Sequence, residues 1–185
     1  MRFSVVLICV LIIAAIVGGL YYYQKNFSNE NSFDLTKNNM ILESPVFKNN
    51  EQLPEKYTCD GEGVNPPLKI SETLENAKSL VLIVDDPDAP IGTYVHWTVW
   101  NIDPKTEGIL ENSVPQNAVE GVTSSGQPGY TSPCPPAGTH HYVFKIFALD
   151  TSLDLLSETS PKELEKAIEP HVLGYAELVG LYVRK

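Results

Sequence analysis

Residues 39–185 predict a mainly β domain with a short helix towards its C-terminal end. Three observations carry that reading. All fourteen prolines fall here and none in residues 1–38; such density, with apolar runs bounded by Gly, Pro and Asn, suits strands and structured loops rather than a helix bundle. Residues 79–84, 94–102 and 141–149 are rich in β-branched and aromatic side chains, the composition of a pleated, partly buried surface. A full set of helix signals occurs in one place only, near residue 160.

The first run, Ser79-Leu80-Val81-Leu82-Ile83-Val84, is continuously apolar after its serine and predicts a buried strand ending at Asp85. The second, 94–102, alternates in part. Strict alternation puts His96 on one face with Thr98 and Trp100, and Trp97 and Val99 on the other. The third, 141–149, is another strand. Thr159-Ser160-Pro161-Lys162-Glu163 then sets a hydroxyl N-cap before a proline at the first helical position, with an acid two residues on. Leu164, Ala167 and Ile168 supply the apolar face, and Pro170 ends it. Residues 176–183 suit either a closing strand or a second short helix.

The first 24 residues are of a different kind. No charge occurs between Phe3 and Gln24, and residues 5–20 are almost wholly aliphatic. About 20 helical residues span the roughly 30 Å core of a bilayer, and Tyr21, Tyr22 and Tyr23 follow where rings favour the interface. The run is longer than a typical signal-peptide core, and Ile16-Val17-Gly18-Gly19 is a poor cleavage site. An uncleaved transmembrane anchor is the expectation, with a cleaved signal helix and secretion as the alternative. Cys9 lies too early to look lipidated. Arg2 precedes the span, so the N-terminus is expected inside and the rest of the chain outside the cytoplasm. Residues 25–38, rich in Asn and Ser, predict a polar tether. The remainder, 39–185, suits one domain with one core.

The net charge is −10. That sign excludes a sequence-independent grip on nucleic acid and broad adhesion to an anionic membrane surface. Anion binding, if it occurs, comes from a few donors inside a pocket, and three segments hold them. In Asp85-Asp86-Pro87-Asp88-Ala89-Pro90, the prolines restrict the backbone around the acids. His96 lies on the second strand. In residues 129–140, prolines and glycines stiffen a loop whose backbone donors can face an anion, and His140 and Tyr142 then share one face of the following strand. Carboxylate, imidazole and phenol together orient and donate to a phosphate or carboxylate oxygen. No cofactor is indicated.

These segments, in this order, resemble the phosphatidylethanolamine-binding protein (PEBP) family, in its bacterial and archaeal Raf-kinase-inhibitor-like branch. The resemblance spans about residues 40–184. It is carried by Asp85 to Pro90, His96, Asn101 and Cys134-Pro135-Pro136-Ala137-Gly138-Thr139-His140-His141-Tyr142. Tyr57-Thr58-Cys59-Asp60-Gly61-Glu62, Asn65-Pro66-Pro67-Leu68 and Ala176-Glu177-Leu178-Val179-Gly180 add to it. It implies an antiparallel β-sandwich with short C-terminal helices, and an anion pocket of Asp86, His96, His140 and Tyr142 rimmed by Pro135 and Pro136. Two departures stand out. The family's usual arginine after the second histidine is replaced by His141, which titrates near neutrality. Its usual Asn-Asp-Phe-Gly segment is replaced around Ser124-Ser125-Gly126-Gln127, leaving the pocket's outer wall open to question.

The implied function is non-enzymatic binding of a small anion: phosphate, a phosphoester, a phospholipid head group or a carboxylate. A protein-binding inhibitor of a protease or kinase is the alternative. Hydrolysis would need Ser132, the only serine placed to act, and no nucleophile-elbow motif is present. Zinc would draw on Asp86, His96, His140 and His141, but adjacent histidines on a strand point to opposite sides. Cys59 and Cys134 form either a disulfide that tethers the Pro-rich loop beside the pocket or two buried thiols.

Overall fold

The computed structural model describes residues 40–184. The predicted membrane segment 1–24 and the predicted tether 25–38 lie outside the described residues. Within them no helix is long and apolar enough to cross a membrane.

The strands are β1 (Ile41–Glu43), β2 (Glu51–Gln52), β3 (Leu68–Ser71), β4 (Ser79–Asp86), β5 (Tyr94–Ile102), β6 (Gly108–Ile109), β7 (Val119–Glu120), β8 (Thr139–Leu149) and β9 (Val172–Val183). One α-helix, α1 (Pro161–Ile168), precedes β9, and 3-10 turns occupy Glu55–Tyr57 and Glu169–His171. Two sheets form, one ordered β1-β3-β6 and the other β2-β9-β8-β4-β5-β7. All their ladders are antiparallel except β2 with β9.

The small sheet covers one face of the large one. Leu42, Leu68, Ile70 and Ile109 share a core with Leu82, Val84, Trp97, Val99, Phe144 and Ile146. On the opposite face Leu164 and Ile168 of α1 pack with Val81, Ile83, Trp100, Leu149 and Leu153. With both faces covered, every residue of β4 is buried, which is why its sequence is continuously apolar rather than alternating. The helix starts as expected and more fully. Ser160 and Glu163 form a reciprocal capping box with Pro161 in the first turn.

The segment left open at 176–183 is strand. It pairs with β8 from Thr139 opposite Val183 to Leu149 opposite Val172. Its burial alternates through Ala176, Leu178, Gly180 and Tyr182, the period of a strand and not of a helix. Gly180 is needed for close approach, because a Cβ there would sit 2.5 Å from Cγ of the buried Leu53.

One expectation is overturned. His96 does not share a face with Thr98 and Trp100. Val84 faces Trp97 while Asp85 faces Val95, so His96 is the extra residue of a β-bulge. The bulge breaks the alternation. His96 joins the side that carries Tyr142, while Trp100 lies in the other core beneath α1. A second irregularity in the same ladder falls at Asn101, whose φ is 57°. Its side-chain amide donates to the Leu153 carbonyl and accepts from the Leu153 N–H, both at 2.8 Å. Asn101 thereby ties β5 to the segment leading to α1, far from the cavity for which its motif was noticed.

Candidate anion-binding site

At the end of the large sheet where β4 stops and β8 starts, Asp86, His96, His140 and Tyr142 converge on a cavity of about 260 Å³. Asp86 ends β4. One of its carboxylate oxygens accepts the Asp88 N–H at 2.9 Å, a local turn across Pro87. The other lies 2.7 Å from Nδ1 of His140. Both side chains are buried. A carboxylate only accepts, so His140 Nδ1 carries the hydrogen and Nε2 is left for the cavity.

His96 is oriented the same way by a different acceptor. Its Nδ1 lies 2.7 Å from the Thr131 carbonyl, which fixes the proton on Nδ1 and leaves Nε2 free. Burial pushes the His96 pKa below its ordinary value of 6.5, against the opposing pull of the Thr131 carbonyl, Asp86 and Asp85. Asp85 itself points away to the other face, where Lys145 Nζ meets it at 2.5 Å. Burial still raises the Asp85 pKa despite that partner.

Tyr142 lies between the two imidazoles. Its ring meets His96 edge-on with centroids 5.2 Å apart and stacks over His140 at 6.4 Å. The hydroxyl is buried without a well-formed hydrogen bond. The Cys134 backbone and the Asp86 carboxylate lie close enough to it to act as weak hydrogen-bond partners, but neither meets it at full hydrogen-bond geometry. Burial first, then Asp86, raise its pKa far above the usual phenol range, so it stays a donor.

His141 faces the other way, as adjacent strand residues must. Its backbone N–H and its ring Nδ1 both approach Asp88 Oδ2, at 2.8 and 2.7 Å, which holds the Asp88 carboxyl below the usual carboxylate range. The two acids flanking Pro87 thus pin two successive histidines on opposite sides of β8. Among the described residues no three His, Cys, Asp or Glu side chains converge as metal ligands. Ser132 lines the cavity but makes no hydrogen bond to either imidazole.

Of the predicted rim, Pro136 lines the cavity while Pro135 is buried and lies off its wall. Tyr94, absent from the expected set, packs at a tilt against His96 with centroids 4.8 Å apart. Its only sequence signal is its place two residues before the histidine. The substituted segment is strapped to β5: Ser124 Oγ accepts the Val95 N–H at 2.8 Å, and Ser124 N–H donates to the Val95 carbonyl at 3.0 Å. It braces the strand beside His96 instead of walling the cavity. Cys59 and Cys134 sit at disulfide geometry, Cα atoms 5.4 Å apart across 75 residues of sequence. A larger groove of about 760 Å³, at the other end of β4 and β5, includes Lys78, Lys105 and Asn117. It contains no buried ionisable pair, so chemistry and not size selects the smaller cavity.

A family model for phosphatidylethanolamine-binding protein matches residues 43–183. The chain belongs to the phosphatidylethanolamine-binding protein family. A UPF0098 protein of Pyrococcus horikoshii is 56% identical over 150 residues, covering 77% of this chain and 76% of that protein. One from Methanothermobacter thermautotrophicus is 45% identical over 150 residues, covering 78% of this chain and 99% of the relative. Among solved structures, a PEBP homolog from Chlamydia trachomatis superposes with a TM-score of 0.77 at 38% identity, over 80% of this chain and 100% of that one. E. coli YbcL, described as a new member of the mammalian PEBP family, gives 0.75 at 30% identity, over 79% and 99%. This PEBP domain alone therefore makes up nearly the whole of several relatives. In the present chain residues 40–184 contain both hydrophobic cores.

Proposed function

We propose that this PEBP-family protein is a non-enzymatic binding protein whose cavity takes a small anionic head: phosphate, a phosphoester or a carboxylate. The observation that carries the reading is the buried Tyr142 hydroxyl, which lacks a well-formed hydrogen bond between two imidazoles whose Nε2 atoms are also unengaged. Leaving a buried donor unsatisfied costs about 1–3 kcal/mol. An anion oxygen would accept from the phenol and, once each Nε2 carries a hydrogen, from both imidazoles together. The small cavity volume favours a head group over an acyl chain. The uncharged apolar segment at 3–24 and the paired cysteines support display outside the cytoplasm on a single-pass anchor, with the N-terminus inside.

Tyr142→Phe tests the central observation. Without ligand this variant is expected to be as stable as the parent or up to about 1 kcal/mol more stable, while its affinity for phosphate and phosphoethanolamine falls about tenfold. Equal affinity with and without the hydroxyl would remove the phenol from the site.

Binding also depends on pH, with a definite sign. Burial keeps unliganded His96 neutral at pH 7, so an anion at its Nε2 requires proton uptake, and affinity rises as pH falls from 7 towards 5. Sulfate is the cleanest probe because its own charge is constant across that range. For the unliganded domain the sign reverses. An unfolded histidine protonates near 6.5, above the depressed folded value, so stability is lost as pH falls through and below 6.5. Saturating sulfate offsets that loss. Histidine ring NMR signals and thermal melts from pH 5 to 8 read both effects; no saturable shift with sulfate, phosphate or phosphoethanolamine at any pH would overturn the anion reading.

A further inference from the structure

We propose that the oxidation state of the Cys59–Cys134 pair gates the anion cavity: the cavity binds when the pair is a disulfide and loses its wall when the pair is reduced. The inference rests on the anion-binding reading above and adds its regulation.

The argument starts from how the cavity-side loop is held. Ser132, Cys134 and Pro136 line the cavity from one loop. Pro133, Pro135 and Pro136 have no N–H to donate. Between Thr131 and Thr139 the one well-formed backbone hydrogen bond among the described residues runs from the Cys59 N–H to the Pro133 carbonyl, 3.0 Å. The disulfide is the loop's covalent tie, and it reaches the same residue, Cys59; Pro133 and Pro135 add packing, being buried. At the loop's start, Thr131 is fixed twice to His96, through its N–H to the His96 carbonyl and through its carbonyl to Nδ1. At its end stand His140 and Tyr142. A loop so poor in hydrogen bonds, flanked on both sides by the groups that face the anion, depends on its covalent tie.

Access fits the same role. Cys134 is exposed while Cys59 is half-buried, so the Cys134 end of the bond is the one a reductant approaches. With a dithiol reductant, one thiolate attacks Cys134 Sγ, forming a mixed disulfide and releasing Cys59 as thiolate. The reductant's second thiolate then displaces Cys134 and closes its own disulfide. The protein pair gains two electrons and two protons, and the dithiol loses them. Neither cysteine is a member of either core cluster.

The test measures affinity for inorganic phosphate on the 39–185 domain, oxidised, reduced with excess dithiol, and as a C59S/C134S variant. Amide NMR and free-thiol counting accompany each. The expected result is at least a tenfold loss of affinity on reduction, recovery on reoxidation, and weak, redox-insensitive binding by the double variant. Amide shifts are expected in 129–140 and around His96, with core signals retained. Equal binding by oxidised and reduced protein overturns the gate while leaving the anion reading intact. Global loss of core signals on reduction also overturns it, because the bond would then be a staple for the whole fold. Absence of phosphate binding by the oxidised protein overturns both readings.

Discussion

His140→Ala is expected to abolish anion binding, weakening phosphate at least about a hundredfold. Two effects add. The variant removes an imidazole that donates from Nε2 when that atom is protonated in the complex, and such a hydrogen bond to an ionised acceptor contributes about 1.5–3 kcal/mol, equal to roughly ten- to hundredfold or more in affinity. It also uncovers the Asp86 carboxylate, otherwise engaged by His140 Nδ1 at 2.7 Å, and that negative charge then faces the incoming anion. The same change costs stability, about 3 kcal/mol, because a buried carboxylate loses its partner. Adding Asp86→Asn separates the two roles. The double variant is expected to recover much of the stability and little of the binding. If it recovers both, or if His140→Ala alone binds phosphate normally, His140 is a structural partner of Asp86 and not a ligand group. Isothermal titration and chemical unfolding on the same samples give the two readouts.

Gly121→Ala is expected to destabilise the domain strongly. A Cβ at residue 121 would lie 2.2 Å from Cζ3 and 2.6 Å from Cη2 of Trp100, and 2.7 Å from Thr98 Oγ1. Trp100 is fully buried against Leu149, Leu164 and Ile168, so the ring cannot retreat. The Gly121 N–H donates to the Thr98 carbonyl at 2.9 Å, so the backbone is held as well. Overpacking of this severity costs about 3 kcal/mol, or roughly 10 °C in Tm for a domain of this size. Trp100→Phe removes part of the ring that clashes. Combined with Gly121→Ala it should therefore lower stability by less than the two single effects summed. A Gly121→Ala domain melting within about 2 °C of the parent would show that this packing yields.

Much of the architecture was legible because its causes are local. The continuous run in β4 follows from burial on both faces, the start of α1 from Ser160, Pro161 and Glu163, and the loops from their prolines. The family resemblance supplied the sandwich and the grouping of Asp86, His96, His140 and Tyr142. The separation of His140 from His141 needed only the two-residue period of a strand. What was not legible depends on register. Strict alternation assigned His96 to the wrong face, because a bulge is set by how β5 pairs with β4 and leaves no mark in β5 alone. Tyr94 was missed for the same reason. Pro135 and Pro136 look equivalent in sequence, yet a loop that must turn buries one and presents the other.

Residue chemistry and short-range spacing, with the family resemblance, thus pointed to the groups at this cavity: two imidazoles, a phenol and a carboxylate on stiff, Pro-bounded segments. Only the tertiary structure decided how they are used. It set the tautomers through Asp86 and Thr131, left the Tyr142 hydroxyl without a well-formed hydrogen bond, gave His141 the Asp88 carboxylate as its partner, and placed Cys59 beside Cys134 across 75 residues. Each of those outcomes is a long-range pairing, fixed by sheet register and by packing on both faces of the large sheet, and no local pattern encodes it.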